Sequence, residues 1–317
     1  MRLCLMVEGQ EDVSWHQWIA LADAAERSGL EGLFRSDHYL SVLASAGREC
    51  LDAWTTLAAL AVRTERIRLG TLVSPVTFRH PAVLAKSAAT VDHVSSGRVE
   101  VGLGAGWNEL EHRAYGFPFP ELSERMQRLE EQLEIVVRLW TEERVSFHGR
   151  YYRLEDCPSL PKPLQRPRPP LIMGGSAGAR AAALAARFAD EYNTFSPSFE
   201  EITERRRRVV EACERAGRDP ATMRFSVMTT CCVGEDRATV LERARLILRR
   251  LGDDDEDPAE LLRAREDRWV VGTQDEAIAR LHELAGLGVD RVFLQHLAHE
   301  DVEMVELLGT EVAPAVA

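Results

Sequence analysis

Lysine is nearly missing from this chain of 317 residues: only Lys86 and Lys162 occur, although lysine and arginine together number 39. A phosphate-binding P-loop needs a Gly-Lys-Ser/Thr step, but Ala85 and Pro161 precede the two lysines. The P-loop motif is therefore absent. Covalent catalysis through a lysine Schiff base would have to use one of the same two residues, so that mechanism is disfavoured too.

Metal-binding and membrane signals are also lacking. The six cysteines form no Cys-x-x-Cys pair, so we expect neither a metal site nor a thioredoxin-like redox pair. No run of 18 apolar residues and no cleavable leader is seen, which predicts a cytoplasmic protein without a membrane partner. The formal net charge of −12 makes nucleic acid an unsuitable partner.

What the sequence does contain is an alternation of strand and helix patterns that repeats eight times. This rhythm predicts an α/β protein, a (β/α)8 TIM barrel made of one domain over residues 1–317, with a doubly wound sheet as the alternative. Surface insertions are expected at about 144–170 and 252–270, the first as a small hairpin and an extended proline-rich segment, the second as an exposed acidic loop followed by an irregular stretch. The predicted strands are Leu3–Val7, Gly32–Phe34, Ile67–Val73, Val99–Leu103, Leu171–Met173, Glu191–Phe195, Arg224–Val233 and Arg291–Leu294.

In a barrel, function lies at the carboxyl ends of the strands. The segments that follow the predicted strands there are polar, aromatic and rich in glycine: 36–40, 74–81, 104–109, 174–178 and 196–197. We therefore expect one pocket for a small-molecule substrate at this end.

The stretch Gly174-Gly175-Ser176-Ala177-Gly178 follows a strand and opens a helix. Backbone N–H groups at such a helix start favour a phosphate cradle. The same five residues match the Gly-x-Ser-x-Gly nucleophile elbow of serine hydrolases, with Ser176 as nucleophile. That alternative needs a later acid and a histidine, for which the candidates are Asp190, Asp290 and His296. A plain structural turn is the third interpretation.

Asp37-His38 is the most polar pair at a predicted strand end, and a histidine there can move a proton near neutral pH. A helix cap or a structural hydrogen bond is the alternative. Gly102-x-Gly104-x-Gly106 has the wrong spacing for a dinucleotide fingerprint, because Trp107 stands where the third glycine should be. Its glycines either allow close packing at a strand end or let a flat ring approach the backbone.

These segments together resemble the bacterial-luciferase-like flavin superfamily and, within it, the oxidoreductases that use the deazaflavin coenzyme F420. The resemblance covers nearly the whole chain. It is carried by the segments 34–39, 66–73, 77–81, 96–107 and 173–176.

The resemblance implies a luciferase-like barrel that holds the redox ring at its mouth. His38 would face the ring or the substrate as the catalytic residue, and Asp37 would contact the cofactor. A bulge with a non-prolyl cis peptide bond would lie under the ring near Leu72-Val73-Ser74, and these three residues would bind the cofactor. The other implied cofactor-binding residues are Ala105, Gly106, Gly174, Gly175, Ser176 and Gly178.

The chain departs from the sugar-phosphate dehydrogenases of this family in two places. They carry a catalytic glutamate directly after the glycines of the fourth strand, where this chain has Trp107, and a lysine after the sixth strand, which this chain lacks. A sugar phosphate is therefore disfavoured as substrate. Tyr39, Trp107 and Asn108 are the predicted substrate-pocket residues, and Glu109 is a further candidate.

The function implied is hydride transfer between reduced coenzyme F420 and an unknown organic substrate. The close alternative is a monooxygenase that uses FMN and dioxygen on the same barrel. A serine hydrolase through Ser176 and a cofactor-binding protein without turnover complete the alternatives. Because the family often dimerises, a homodimer is expected.

Overall fold

Eight apolar segments pair in parallel and close into a barrel in the computed structural model, which describes residues 1–43 and 47–317. The barrel order is β9-β11-β1-β2-β3-β4-β7-β8, and pairing between β8 and β9 closes the ring. This closure confirms the (β/α)8 prediction and rules out the open doubly wound sheet. The strands are β1 (Arg2–Val7), β2 (Gly32–Arg35), β3 (Arg68–Pro75), β4 (Val99–Gly104), β5 (Val145–His148), β6 (Arg153–Cys157), β7 (Leu171–Gly174), β8 (Glu191–Phe195), β9 (Arg224–Gly234), β10 (Val270–Thr273) and β11 (Arg291–Gln295).

Helices surround the barrel and begin and end at the signals expected from the sequence. Ser14 and Gln17 form a capping box at the start of α1, and Gly29 ends it in the left-handed conformation. Ser198 and Glu201 form a second capping box before α7. The helices are α1 (Trp15–Ser28), α2 (Ala53–Arg63), α3 (Pro81–Val94), α4 (Glu109–Tyr115), α5 (Leu122–Thr141), α6 (Ala179–Phe188), α7 (Phe199–Arg215), α8 (Arg237–Leu251), α9 (Pro258–Arg265), α10 (Gln274–Gly286) and α11 (Val302–Leu307).

Inward-pointing side chains fill the barrel in layers, because alternate residues of each strand face its interior. The lowest layer is charged: Arg291 donates to Glu191 and Glu100, both at 2.6 Å. Burial alone would raise the pKa of Glu100, but the Arg291 guanidinium outweighs it and lowers that pKa to about 2. The layer above is apolar and consists of Cys4, Met6, Phe34, Leu72, Ile172, Met228 and Phe293. The functional end of the barrel therefore rests on a dry, rigid floor.

The two predicted insertions differ in character. The first contains the expected hairpin, β5 paired antiparallel with β6. The second is more regular than predicted: Asp257 caps α9, and β10 adds a strand to the upper part of β9, where Cys231–Gly234 extend beyond the pairing with β11. The prediction of an irregular stretch was wrong because Leu261 and Leu262 pack against α8 and order the segment.

A short helix, α4, was not predicted from the sequence. Asn108 caps its start and Gly116 ends it in the left-handed conformation. These two signals were present in the sequence, but they enclose a helix of only 7 residues, about two turns, which is too short for periodicity to detect. The helix matters because it carries Glu111 towards the barrel mouth.

Within the described parts of the chain, no helix is long and apolar enough to cross a lipid bilayer.

Candidate active site

One half of the barrel mouth is built from glycines packed against a distorted strand. The peptide bond between Leu72 and Val73 is cis, as the resemblance implied, and the pairing of β3 with β4 shifts register there. A Cβ atom on Gly104 would lie 2.7 Å from Val73 Cγ2, and one on Gly174 would lie 3.2 Å from Val73 Cγ1. Only glycine fits beside the displaced Val73 side chain, so this half of the mouth has a low, flat wall.

The mouth is open above this wall. Leu72 and Met228 belong to the apolar layer but keep 6% and 8% of their surface exposed, whereas their neighbours Phe34 and Phe293 are fully buried. Phe195 ends β8 and is 58% exposed. The side chains that remain exposed at this point of the mouth are therefore apolar.

The other half of the mouth is polar. Five polar side chains lie here. They are Glu8 directly after β1, Gln10, Ser36 directly after β2, Thr230 in β9 and Gln295 in β11. The Glu8 carboxylate accepts from Gln10 Nε2 at 2.8 Å and from Gln295 Nε2 at 2.7 Å. Ser36 and Thr230 in turn donate to the two amide oxygens, each at 2.5 Å. These five side chains, called the polar wall below, were missed in the sequence because nothing local marks them.

His38 is held by Glu111. The two side chains are joined by a hydrogen bond of 2.8 Å between His38 Nδ1 and Glu111 Oε2. The other carboxylate oxygen of Glu111 accepts the backbone N–H groups of Tyr39 and Leu40. Burial alone would lower the pKa of His38, but the hydrogen bond and charge of Glu111, together with the charges of Glu8 and Asp37, raise it. His38 is thus a mostly buried base whose ring orientation is fixed.

Asp37 lies under the mouth in a dense polar cluster. Its Oδ2 accepts from Ser74 Oγ and from Arg79 Nη1, both at 2.5 Å. Arg79 also donates to Asp52 at 2.9 Å. The second oxygen of Asp37, Oδ1, is buried and has no hydrogen-bond partner among the described residues. Asp37 therefore keeps one acceptor available for a bound group, and Ser74 orients that acceptor.

The predicted substrate-pocket residues lie beside His38. Trp107 is 65% exposed, with its ring centre 5.7 Å from that of His38. The Tyr39 hydroxyl accepts from Arg79 at 3.0 Å, and its ring packs 5.0 Å from Phe78. The Asn108 side chain caps the start of α4, where it accepts a hydrogen bond from the Glu111 N–H. Contact of these residues with a substrate stays a prediction.

The segment from Gly174 to Gly178 forms an exposed turn at the start of α6. Gly175 has a φ of 152°, a value that favours glycine, and Ala177 N–H donates to the Tyr192 hydroxyl at 2.8 Å. Gly178 is the N-cap, so no side chain caps the first turn of the helix. The uncapped N–H groups and the helix dipole suit an anion.

On the neighbouring loop after β4, Gly106 takes a φ of 78°, and Ala105 packs against the core. The contacts of both with a cofactor stay predictions.

The nucleophile-elbow interpretation does not fit the barrel. Ser176 follows β7 at the carboxyl end, whereas Asp190 and Asp290 precede β8 and β11 and lie at the opposite end. Asp190 pairs there with Arg168, and Asp290 accepts from the Phe225 N–H. His296 is at the correct end, but neither of its ring nitrogens makes a hydrogen bond with Ser176 or with any other described residue. Among residues 1–43 and 47–317, these candidates form no catalytic triad around Ser176.

Both lysines are engaged by backbone carbonyls. Lys86 donates to Leu160, and Lys162 donates to Leu139 at 2.9 Å as well as to Pro158 and Glu142. Neither lysine ammonium group is placed to bind the phosphate of a substrate at the mouth.

Comparison with known proteins agrees with this architecture. The family model for luciferase-like monooxygenases matches residues 4–291. An F420-dependent glucose-6-phosphate dehydrogenase of Microbacterium testaceum is 32% identical over 307 residues, which cover 92% of this chain and 90% of that protein. An FMNH(2)-dependent dimethylsulfone monooxygenase of Pseudomonas putida is 37% identical over 182 residues, which cover 57% and 49%. An F420-dependent secondary alcohol dehydrogenase in complex with an F420–acetone adduct superposes with a TM-score of 0.85 at 21% identity, covering 100% and 99% of the two chains.

Proposed function

The chain belongs to the luciferase-like monooxygenase family, and from that membership we propose that it is an oxidoreductase that transfers a hydride between coenzyme F420 and an organic substrate. Full-length similarity to F420-dependent dehydrogenases supports the choice of cofactor. The single structural observation that carries the proposal is the barrel mouth itself, with a glycine wall on one side and the His38–Glu111 pair on the other.

The residues present fit such a cofactor. The glycine wall beside Val73 leaves room for a flat ring, and the unpartnered Asp37 Oδ1 is an acceptor for a ring N–H. The uncapped start of α6, with Gly174, Gly175, Ser176 and Gly178 before it, would hold the phosphate of the tail. When bound, the deazaflavin would supply or accept the hydride.

The protein's own part in the reaction is to orient the reactants, to exclude water and to move one proton. Glu111 binds Nδ1 of His38, which leaves Nε2 as the nitrogen that can exchange a proton with the substrate oxygen. The raised pKa keeps a larger fraction of His38 protonated near neutral pH than a free imidazole would have. His38 can therefore donate a proton when a carbonyl is reduced and accept one when an alcohol is oxidised.

A sugar phosphate is not the proposed substrate, although relatives act on one. Trp107 and Phe195 make the rim of the mouth apolar, and both lysines are engaged elsewhere. A monooxygenase that uses FMN is the second candidate, favoured by the identity of 37% to a monooxygenase over part of the chain.

Turnover assays with both cofactors test the proposal. We expect wild-type protein to change the visible absorbance of F420 with members of a panel of small alcohols or ketones. His38→Ala should lower kcat by about 100-fold or more, because general acid–base catalysis contributes on that order. F420 binding should persist in this variant. Oxygen uptake with reduced FMN, and no turnover with F420, would contradict the proposal.

A further inference from the structure

The mechanism above uses His38 but leaves the polar wall without a role. Glu8 directly follows β1 and continues its inward alternation, because Cys4 and Met6, four and two residues earlier, point into the barrel. Its carboxylate therefore faces the mouth from the side opposite the glycine wall. The same four strands that supply the polar wall do not contribute to the turn that would hold a phosphate.

The hydrogen bonds of the polar wall all point towards Glu8. Hydroxyl groups donate to the two amide oxygens, and the two amide nitrogens donate to the carboxylate. Each carboxylate oxygen can accept two hydrogen bonds, and each accepts one from within the polar wall. Glu8 therefore retains acceptor capacity on both oxygens. A group that binds it must donate a hydrogen bond.

Charge in this region selects against anions. Arg48 is paired with Glu11, and Arg79 is paired with Asp37, so neither guanidinium is free to compensate Glu8. Glu8 also acts on His38, whose pKa its charge helps to raise. β1 and β2 pair in parallel with Val7 opposite Arg35, so Glu8 and His38, which follow these two strands, lie at the same end of the barrel. A substrate carboxylate or phosphate placed there would be repelled at low dielectric.

We infer that Glu8, held between the amides of Gln10 and Gln295, is the anchor for the substrate's polar group and selects neutral or cationic molecules that carry an O–H or N–H donor. The substrate class is then a secondary alcohol or an amine with an apolar body, which Trp107 and Phe195 would cover. This inference rests on the proposed function, since it assigns the substrate side of the same mouth.

Three probes of one shape test the inference without turnover: 1-phenylethanol, 1-phenylethylammonium and 2-phenylpropionate. Binding to the protein without cofactor is followed by Trp107 fluorescence, with Trp107→Phe to identify the signal. Wild-type protein should bind the ammonium and the alcohol at least about tenfold more tightly than the carboxylate, a difference of about 1.4 kcal/mol. Glu8→Gln should remove the preference for the ammonium, and it should also lower the His38 pKa measured by NMR.

Two further variants serve as a control for the loss of one negative charge and as a replacement in case Glu8→Gln does not fold. Glu260→Gln removes the same charge from α9, where Glu260 is exposed, and should leave the probe preference unchanged. If Glu8→Gln does not fold, Glu8→Asp serves instead, because it keeps the charge and should weaken the ammonium and alcohol without favouring the carboxylate.

Equal affinities of the three probes for wild-type protein, or no saturable binding of any of them, would overturn the inference. So would a probe preference that survives in Glu8→Gln. A parallel titration with F420 separates this result from the proposed function. Loss of probe selectivity with intact F420 binding refutes only the role of Glu8, whereas selective probe binding without F420 binding refutes only the cofactor assignment.

Discussion

His38 depends on a residue 73 positions away in the chain for its chemical state. Glu111 is fully buried and binds both the imidazole and the backbone that follows it, so it fixes the tautomer and the position of His38 together. The sequence predicted His38 and Asp37 as site residues because they follow a strand. It did not predict Glu111, Ser74 as the partner of Asp37, or Arg79, because these contacts require the folded barrel.

At this scale we predict that Glu111→Gln lowers the pKa of His38. The substitution removes the negative charge and the carboxylate acceptor, which are the groups that outweigh burial. The measurement is an NMR titration of the His38 imidazole. Carbonyl reduction at neutral pH, which needs protonated His38, should fall together with the protonated fraction, and the alkaline limb of its pH profile should move to lower pH.

Glu109→Gln is the matched control, because Glu109 lies on the same helix but is exposed. It should leave the His38 titration unchanged. An unshifted His38 pKa in a folded Glu111→Gln variant would show that Glu111 has only a structural role.

At the scale of elements, the residues of the candidate site lie at the ends of strands and at the starts of helices. The eight barrel strands and the main helices were predictable, because each strand is an apolar segment in a regular alternation with helices, and each main helix has an amphipathic period bounded by capping residues. The elements α4 and β10 were not, since both are short and are ordered by tertiary contacts. The polar wall was not predictable either, because its members come from strands that are far apart in the chain and become neighbours only through the pairings of β9 with β11, of β11 with β1 and of β1 with β2.

The start of α6 gives the element-scale prediction. Gly178→Asp should keep or raise the melting temperature, because aspartate is a good N-cap and its charge suits the helix dipole. The same carboxylate should weaken F420 binding by about tenfold or more, since it would occupy the place of an anion and repel it. Fluorescence titration and thermal unfolding measure the two effects separately.

Gly178→Ser is the control, because it supplies the cap without the charge. Nothing lies within 4 Å of a Cβ atom at this position, so both side chains fit. If the aspartate and serine variants bind F420 equally well, the phosphate does not lie at this helix.

At the scale of the whole molecule, the formal net charge is −12, and several ionisable groups are buried in the interior. His296 and His299 are buried after β11, and neither makes a well-formed hydrogen bond with the described residues. Burial lowers the pKa of His296 to about 4 and lowers that of His299 as well. The folded state therefore resists protonation at these two sites.

We predict that this pair destabilises the fold in acid. A group whose pKa is lower in the folded state loses its stabilising contribution as the pH falls from its unfolded value, about 6.5, towards its folded value, about 4. His38 acts in the opposite sense, because its raised pKa favours the folded state at lower pH. The melting temperature of His296→Gln/His299→Gln should fall less than that of wild type over this window.

His16→Gln, at an exposed position of α1, should follow the wild-type curve. A double variant with the same acid sensitivity as wild type would assign that sensitivity to other groups.

The central claim, that the open barrel mouth holds a deazaflavin, is tested most directly by titrating the wild-type protein with F420 and with FMN under the same conditions. We predict saturable binding of F420 with an affinity clearly above that for FMN. Tight binding of FMN with no response to F420 would contradict the account.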